Sequence, residues 1–135
     1  MILGIGVDTV LISRIAETYE NQGDAFINRC FGLAEIDYIL SAGSENIRAG
    51  RMAKRWAAKE AYAKALGTGI SSFANLKDIC VIQDDRGKPE VVVENTALET
   101  LNRLARGHGS PKIHLSLGDE GDYAQAFVVL SAEKD

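Results

Sequence analysis

The sequence predicts one α+β domain in which a mostly antiparallel sheet packs on helices, and three observations support this fold class. The chain has 135 residues, a length that suits a single domain spanning 1–135. A strand pattern opens the chain, a pair of strand patterns closes it, and the longest helical signal lies between them. Strands that cluster, instead of alternating one by one with helices, favour an antiparallel sheet.

The first third of the chain predicts one strand and two helices. Residues 2–8 are short, apolar and interrupted by glycines, which is typical of a buried strand, and Asp8 is expected at its end. Thr9 is then placed to cap a helix over 10–21. A second, short helix is predicted over 33–41 from its apolar residues at helical spacing.

The middle of the chain predicts the main helix and a hairpin. Residues 48–66 are rich in alanine, lysine and arginine, and Gly67 supplies the stop. Strands are predicted over 78–83 and 90–94, because both segments are apolar and the residues between them form a strong turn signal.

The last part predicts a helix followed by two strands. Asn95 is expected to cap a helix that runs to about residue 106, with leucines at helical spacing along it. Strands over 112–118 and 123–131 follow, joined by a short glycine-containing turn.

Charge is unevenly distributed along the chain. The formal net charge is −4, which argues against nucleic acid as a partner. The segment 48–64 nevertheless holds six cations and one anion, Glu60. A basic segment on an acidic protein suggests a local anion site, and the alternative is a solvated helix face.

Cysteine use and hydropathy indicate the compartment. Cys30 and Cys80 lie far apart without a metal-ligand spacing, and no apolar stretch approaches the ~20 residues that cross a membrane. The N-terminus lacks the charged start and apolar run of a signal peptide. We therefore expect a reduced cytoplasmic protein without a membrane partner.

Two faces of the predicted helix over 48–66 carry different chemistry. Ala57, Ala61 and Ala65 share one side, so another element can approach that side closely. Glu60 and Lys64 are four residues apart on a face about 140° from Arg55. The simple interpretation of the Glu60–Lys64 spacing is an exposed ion pair contributing about 0.3–0.5 kcal/mol.

Asp8 offers a second carboxylate. Taken alone, a carboxylate at a strand end favours a role at a helix N-terminus. Together with Glu60 it also allows a Mg²⁺ site, since Mg²⁺ commonly takes one or two carboxylates and completes its shell with phosphate oxygens and water. Lysine and free backbone amides at 67–69 could then hold phosphate charge. His114 falls on the polar face of its predicted strand, which favours a surface or supporting role.

Three segments carry a family resemblance. The strand GIGVD with Arg14 six residues on, the block RWAAKEAYAKALGTGI at 55–70, and HLSLGDEGDYAQAFVV at 114–129 resemble the holo-[acyl-carrier-protein] synthase family. Phe31, Glu35 and the short GKP at 87–89 also fit, so the resemblance covers nearly the whole chain.

The resemblance implies an activity, an assembly and a site. A family member transfers 4'-phosphopantetheine from coenzyme A to a serine of apo acyl carrier protein, releasing adenosine 3',5'-bisphosphate, and so supports fatty acid biosynthesis. It implies a trimer with each active site between neighbouring subunits. The implied residues are Asp8 and Glu60 for Mg²⁺ and catalysis, Lys64 for catalysis and phosphate, Arg55, Gly67, Thr68, Gly69 and His114 near coenzyme A, and Arg14 for the carrier protein.

Two departures and two alternatives accompany this interpretation. After Arg14 the partner-facing helix carries Glu17, Glu20 and Asp24 where relatives often have cations, and Gly118 replaces a histidine of some members. The group that accepts the serine proton is left open between a water on the metal and a carboxylate. The alternatives are a non-catalytic nucleotide- or anion-binding module and a structural oligomer unit whose alanine stripe is only an interface.

Overall fold

A computed structural model describes residues 1–134. Its strands are β1 Ile2–Leu11, β2 Ile79–Gln83, β3 Pro89–Val93, β4 Ser110–Glu120 and β5 Tyr123–Glu133. Its helices are α1 Ile12–Gln22, α2 Asp24–Cys30, α3 Leu33–Leu40, α4 Glu45–Leu66 and α5 Asn95–Ala105, and one 3-10 turn covers Leu76–Asp78. The predicted α+β class is confirmed.

Both sheets are antiparallel. The larger has the strand order β1-β5-β4, so the first strand of the chain pairs with the last, and β2 pairs with β3 in a separate hairpin. Asp8 lies opposite Ala126, which lies opposite Leu117. Side chains in such a row point to the same side of a sheet, so Asp8 shares the inner, helix-covered face with buried Ala126.

The helix α4 crosses the inner face of the larger sheet at very short range. Gly4 and Gly6 lie against it so closely that a Cβ atom would be 1.9 Å from the carbonyl oxygen of Ala65 or Ala61 respectively. Ala57, Ala61 and Ala65 are buried on this side. The predicted alanine stripe therefore contacts β1 of the same chain, where glycines and methyl groups let the two backbones approach.

The start of the first helix differs from the prediction. β1 continues to Leu11, so Asp8 lies within the strand and Thr9 caps nothing. Four residues after Asp8, α1 begins at Ile12 without a side-chain cap of its own. Asp122, from the β4–β5 turn, supplies one: its backbone oxygen accepts from Ile12 N at 2.7 Å and its Oδ1 accepts from Ser13 N at 3.0 Å.

Two further expectations are wrong. The sequence did not predict α2, a seven-residue helix that buries Phe26 and Ile27. Asn95 is not an N-cap: it is the first residue of α5, with φ 52°, and its side-chain amide donates to Asp78 Oδ1 at 3.0 Å. The other predicted elements lie within about three residues of the observed ones, and Ser44 caps α4 by accepting from Ile47 N.

Within residues 1–134, none of the helices combines the length and the apolar character that crossing a membrane requires.

Candidate active site

One cleft gathers the predicted metal and carrier-binding residues. It lies between β1, α1 and α4 and has a volume of about 400 Å³. Asp8 reaches it from β1, Arg14 from α1, and Glu60 and Lys64 from α4. Asp8 and Glu60 are 52 positions apart in sequence and meet here because the glycine–alanine contact brings β1 against α4.

Lys64 joins the two elements. Its ammonium donates to Asp8 Oδ1 at 3.0 Å and to the carbonyl oxygen of Val7 at 3.1 Å. The expected surface ion pair between Glu60 and Lys64 is therefore replaced by a pair between Lys64 and Asp8. The Asp8 side chain is 16% exposed and that of Lys64 51% exposed, so the pair lies at the mouth of the cleft, open to a ligand.

Glu60 and Asp8 are close enough to influence each other. Burial raises the pKa of Glu60, and the negative charge of Asp8 raises it further, while Lys64 lowers it. Two carboxylates that repel each other beside a lysine form a site that a divalent cation would stabilise.

The donor set fits Mg²⁺ better than a metal that demands a closed protein cage. Within residues 1–134, no group of three or more histidine, cysteine or acidic side chains is arranged to hold a metal ion. Two carboxylate oxygens facing an open cleft leave coordination positions for water and phosphate, which is the usual arrangement for Mg²⁺.

The opposite face of α4 forms a second, basic pocket of about 240 Å³. Arg51, Lys54 and Arg55 line it together with Tyr38 and with Asp119, whose Oδ2 pairs with Lys54 Nζ at 3.1 Å. The Arg55 guanidinium stacks on the Tyr38 ring, 4.4 Å from its centroid, and is 4% exposed. Burial lowers its pKa, and its Nε has no hydrogen-bond partner within residues 1–134. A buried guanidinium with a free donor is suited to bind an anion.

The segment 48–64 is not one continuous anion surface, which corrects the charge-based expectation. Lys59 is completely buried and pairs with Glu35, its Nζ lying 2.6 Å from Oε1. The alternative of a solvated helix face is wrong at this position as well. Of the segment's six cations, one is thus neutralised inside the core.

The glycine turn after α4 does not offer the free amides that the sequence suggested. Gly67 N donates to Lys64 O, and the amides of Thr68 and Gly69 both donate to Ala63 O. Gly67 is left-handed, with φ 86°, and ends the helix as predicted. The turn caps α4 within one helical turn of Lys64, and its proximity to coenzyme A stays a prediction.

His114 lies far from the cleft within the same chain. It is exposed on the outer face of β4, where its Nε2 forms a 2.8 Å hydrogen bond with Ser131 Oγ. It shares a row with Val129 and Ile5, whereas Asp8 belongs to the inner face. The structure thus groups Asp8, Glu60, Lys64 and Arg14 and places Arg55 and His114 elsewhere.

Sequence reasoning assigned no role to several residues that shape these sites. Arg29 lines the cleft beside Arg14, held by a 2.7 Å hydrogen bond to Gln22 Oε1. Its location depends on the unpredicted helix α2. The family resemblance included Glu35 but did not indicate that it pairs with Lys59, and no local pattern marked Asp122 as a cap.

This small α+β domain gathers two carboxylates and a lysine in one open cleft and carries a separate basic pocket on another face of α4, groups that suit an enzyme acting on phosphate-containing substrates. A family description, "4'-phosphopantetheinyl transferase superfamily", matches residues 4–128, and the chain belongs to this superfamily.

Relatives agree over nearly the full length. A holo-[acyl-carrier-protein] synthase of Wolbachia pipientis is 42% identical over 133 residues, 98% of this chain and 100% of that protein. The crystal structure of the Neisseria meningitidis synthase has a TM-score of 0.81 and 36% identity, covering 97% and 99% of the two chains. That of Bacillus anthracis, in complex with CoA (3',5'-ADP), has a TM-score of 0.79 and 32% identity, covering 98% and 99%. The predicted family and enzyme class are confirmed.

Proposed function

We propose that this enzyme transfers the 4'-phosphopantetheine group of coenzyme A to a serine of apo acyl carrier protein, releasing adenosine 3',5'-bisphosphate in support of fatty acid biosynthesis. The observation that carries the proposal is the convergence of Asp8, Glu60 and Lys64 in one open cleft. The relatives named above are synthases of this kind, and one was crystallised with coenzyme A.

The cleft fits the chemistry of phosphate transfer. Asp8 and Glu60 would hold Mg²⁺, which supplies charge neutralisation for the pyrophosphate when bound. Lys64 holds Asp8 in place and, being half exposed, can also reach a phosphate oxygen. As the serine oxygen attacks the β-phosphate, negative charge grows on the phosphate oxygens, and a lysine fixed in advance stabilises that charge. The nucleophile comes from the partner, so the cleft needs no activated serine of its own.

Coenzyme A also needs an anion site for its other phosphates. The basic pocket of Arg51, Lys54 and Arg55 meets this need, and Pro89 of the GKP turn forms part of its wall. However, Arg55 and Glu60 project about 140° apart from α4. A single coenzyme A molecule at the cleft therefore would meet Arg55 more readily from a second chain than from the same one.

The outer face of the larger sheet supports a homotrimer, which would bring the cleft of one chain close to the basic pocket of the next. It exposes large apolar side chains: Ile5, Val7, Leu11, Tyr123 and Phe127 are each at least 40% exposed. Exposed apolar faces of this kind mark protein interfaces. Packing this face against a neighbouring copy would also bury His114 in the interface, where it could contact a cofactor held by the neighbour's cleft.

The carrier protein would dock beside Arg14. This arginine is exposed at the rim of the cleft, and Arg29 lies on the same cleft. Acyl carrier proteins are acidic, so both cations favour the approach of the carrier despite Glu17 and Glu20 on the same helix. The cytoplasm stays a prediction from cysteine use, together with the two free thiols of the structure.

Mass spectrometry of the carrier protein tests the activity directly. After incubation with the enzyme, coenzyme A and Mg²⁺, the apo carrier should gain one phosphopantetheine. Asp8→Asn and Glu60→Gln should each abolish most transfer while preserving the fold, and the double variant should lose little more, because residues that act as a unit are not additive. Binding of coenzyme A without transfer would favour the non-catalytic module instead.

Mixed assemblies test whether the site is shared between chains. Glu60→Gln chains and Arg55→Met chains should each be inactive alone. Co-refolded in equal amounts, they should recover activity at about a quarter of the sites of a cyclic trimer, those that take the intact residue from each chain. If each site came from one chain, no mixture would regain activity. Native mass spectrometry should show three chains of 14.6 kDa, and Phe127→Glu should dissociate them.

A further inference from the structure

The core holds an ion pair that the transfer reaction does not use. Glu35 on α3 and Lys59 on α4 are both completely buried, with 2.6 Å between Nζ and Oε1. Buried charges are costly to desolvate and persist only with full hydrogen bonding. Neither side chain lines the cleft that holds Asp8 and Glu60.

Each of the three N–H donors of Lys59 has an acceptor in a different segment of the chain. The three N–H groups of Lys59 donate to Glu35 Oε1, to Leu76 O at 2.9 Å and to Ile79 O. Glu35 in turn accepts from Gly32 N at 3.0 Å and from Val81 N at 3.0 Å. The pair therefore fastens α4 to the start of α3, to the 3-10 turn and to β2.

Lys59 supplies three of the directional contacts that hold the middle of α4, and the buried Tyr62 hydroxyl, which donates to Ala97 O at 2.9 Å, supplies another. On the other side, α4 meets β1 through glycines and alanine methyl groups, which set a short distance but interlock weakly against rotation. Lys59 lies roughly opposite the alanine stripe on the helix. Its three hydrogen bonds can thus fix the angle of α4 about its axis, which the glycine–alanine contact alone leaves less defined.

The angle of α4 decides where the reactive side chains point. Glu60 directly follows Lys59, and Lys64 lies one turn beyond Glu60. Side-chain ends lie about 5–6 Å from a helix axis, so a rotation of ~20° would move them by about 2 Å. A misplacement of about 1 Å can reduce a rate by about 100-fold.

We propose that Glu35 and Lys59 are positioning residues for phosphopantetheine transfer, because their buried ion pair fixes the rotation of α4 and thereby aims Glu60 and Lys64 at Asp8. This inference rests on the proposed roles of those three residues in the cleft. The competing interpretation is that the pair contributes to stability alone.

Replacing the whole pair separates the two interpretations, because a buried ion pair exchanged for uncharged groups of similar volume often leaves stability nearly unchanged. The variant is Glu35→Gln with Lys59→Met. We expect it to keep its assembly mass and to melt near the wild-type temperature. Its kcat should still fall by about 10- to 100-fold, as happens when groups supporting metal ligands are removed. A double variant that keeps both the kcat and the melting temperature of the wild type would overturn the proposal.

Metal affinity gives a readout that does not depend on turnover. Mn²⁺ binding, followed by electron paramagnetic resonance, should weaken by about tenfold or more in the double variant. In a Glu60→Gln background the pair replacement should cost less activity than it does in the wild type, since the part of its effect that acts through Glu60 is already lost. An additional loss of equal size in that background would contradict a positioning role.

A second variant covers the case in which the double replacement does not fold. Glu35→Gln alone keeps the side-chain shape and an oxygen acceptor for Lys59, and we expect a smaller loss of kcat, about three- to tenfold, in the folded protein, together with a lower melting temperature because the buried Lys59 loses its counter-charge. Wild-type kcat in folded Glu35→Gln would then overturn the proposal. The reference is Glu60→Gln: if that variant is fully active, the assignment of the cleft fails, whereas an inactive Glu60→Gln beside fully active pair variants refutes only the positioning role.

Discussion

The contact between β1 and α4 predicts that Gly6→Ala will damage stability and activity together. A Cβ atom at Gly6 would lie 1.9 Å from Ala61 O and 2.8 Å from Ala65 N. Both are backbone atoms, so relief requires the strand and the helix to separate by about 1 Å. Overpacking of a core costs about 1–3 kcal/mol, and a backbone-to-backbone clash belongs near 3 kcal/mol. For this chain length that corresponds to a melting temperature lower by about 10 °C.

Activity should fall more than stability alone explains. Gly6 is two residues from Asp8, and Ala61 is next to Glu60, so the same separation opens the cleft. We expect 10- to 100-fold slower transfer at temperatures where the variant is fully folded. Circular dichroism melting and the carrier mass assay measure the two effects.

Gly50→Ala is the matched control for this prediction. A Cβ atom at Gly50, inside α4, would meet nothing within 4 Å. The substitution should therefore stabilise the protein by about 0.5–1 kcal/mol through helix propensity and leave transfer unchanged. A Gly6→Ala protein that melts and transfers like the wild type would refute the close-contact argument.

Three further predictions concern the rim, the cap and the buried carboxylate. Arg14→Glu should raise the KM for carrier protein far more than the KM for coenzyme A, with the difference shrinking as salt rises; equal effects on both would make Arg14 a general site residue. Asp122→Ala should lower the free energy of unfolding by about 0.5–2 kcal/mol, because it removes the cap of α1, and the loss should exceed that of Asp119→Ala in the same hairpin. Equal melting temperatures of these two variants would count against a capping role of Asp122. Burial and Asp8 raise the pKa of Glu60 in the folded protein, so ionisation of Glu60 destabilises the fold. Without metal, the wild type should therefore lose stability relative to Glu60→Gln as the pH rises from about 4 through the raised pKa. A stability gap that is constant with pH would contradict this.

Local patterns were sufficient for most elements of the fold. Alanine-rich sequence and Gly67 defined α4, and apolar alternation defined β4 and β5, because these signals act within a few residues. The helix α2 was not predicted from the sequence, because its seven residues of mixed polarity show little helical periodicity. The extension of β1 past Asp8 depends on pairing with β5, more than a hundred residues away, which no local pattern contains.

The site was predictable in its composition but not in its contacts. The resemblance indicated Asp8, Glu60 and Lys64, and the structure brings these three together in one cleft. Spacing on α4 suggested that Lys64 would pair with Glu60, whereas it pairs with Asp8, because tertiary packing overrides a weak surface pair. The burial of Lys59 was equally hidden, since its acceptors come from three other segments.

The two faces of α4 give a physical reason for the shared site that we propose above. Glu60 and Lys64 face the cleft beside β1, while Arg51 and Arg55 face the basic pocket beside the GKP turn. A helix about 10–12 Å across separates these faces, so one ligand cannot touch both in one chain without wrapping around it. A cyclic assembly removes the difficulty, because each helix can offer its carboxylate face to one site and its arginine face to the next. The buried Glu35–Lys59 pair lies between the two faces, so a rotation of α4 would disturb both neighbouring sites at once.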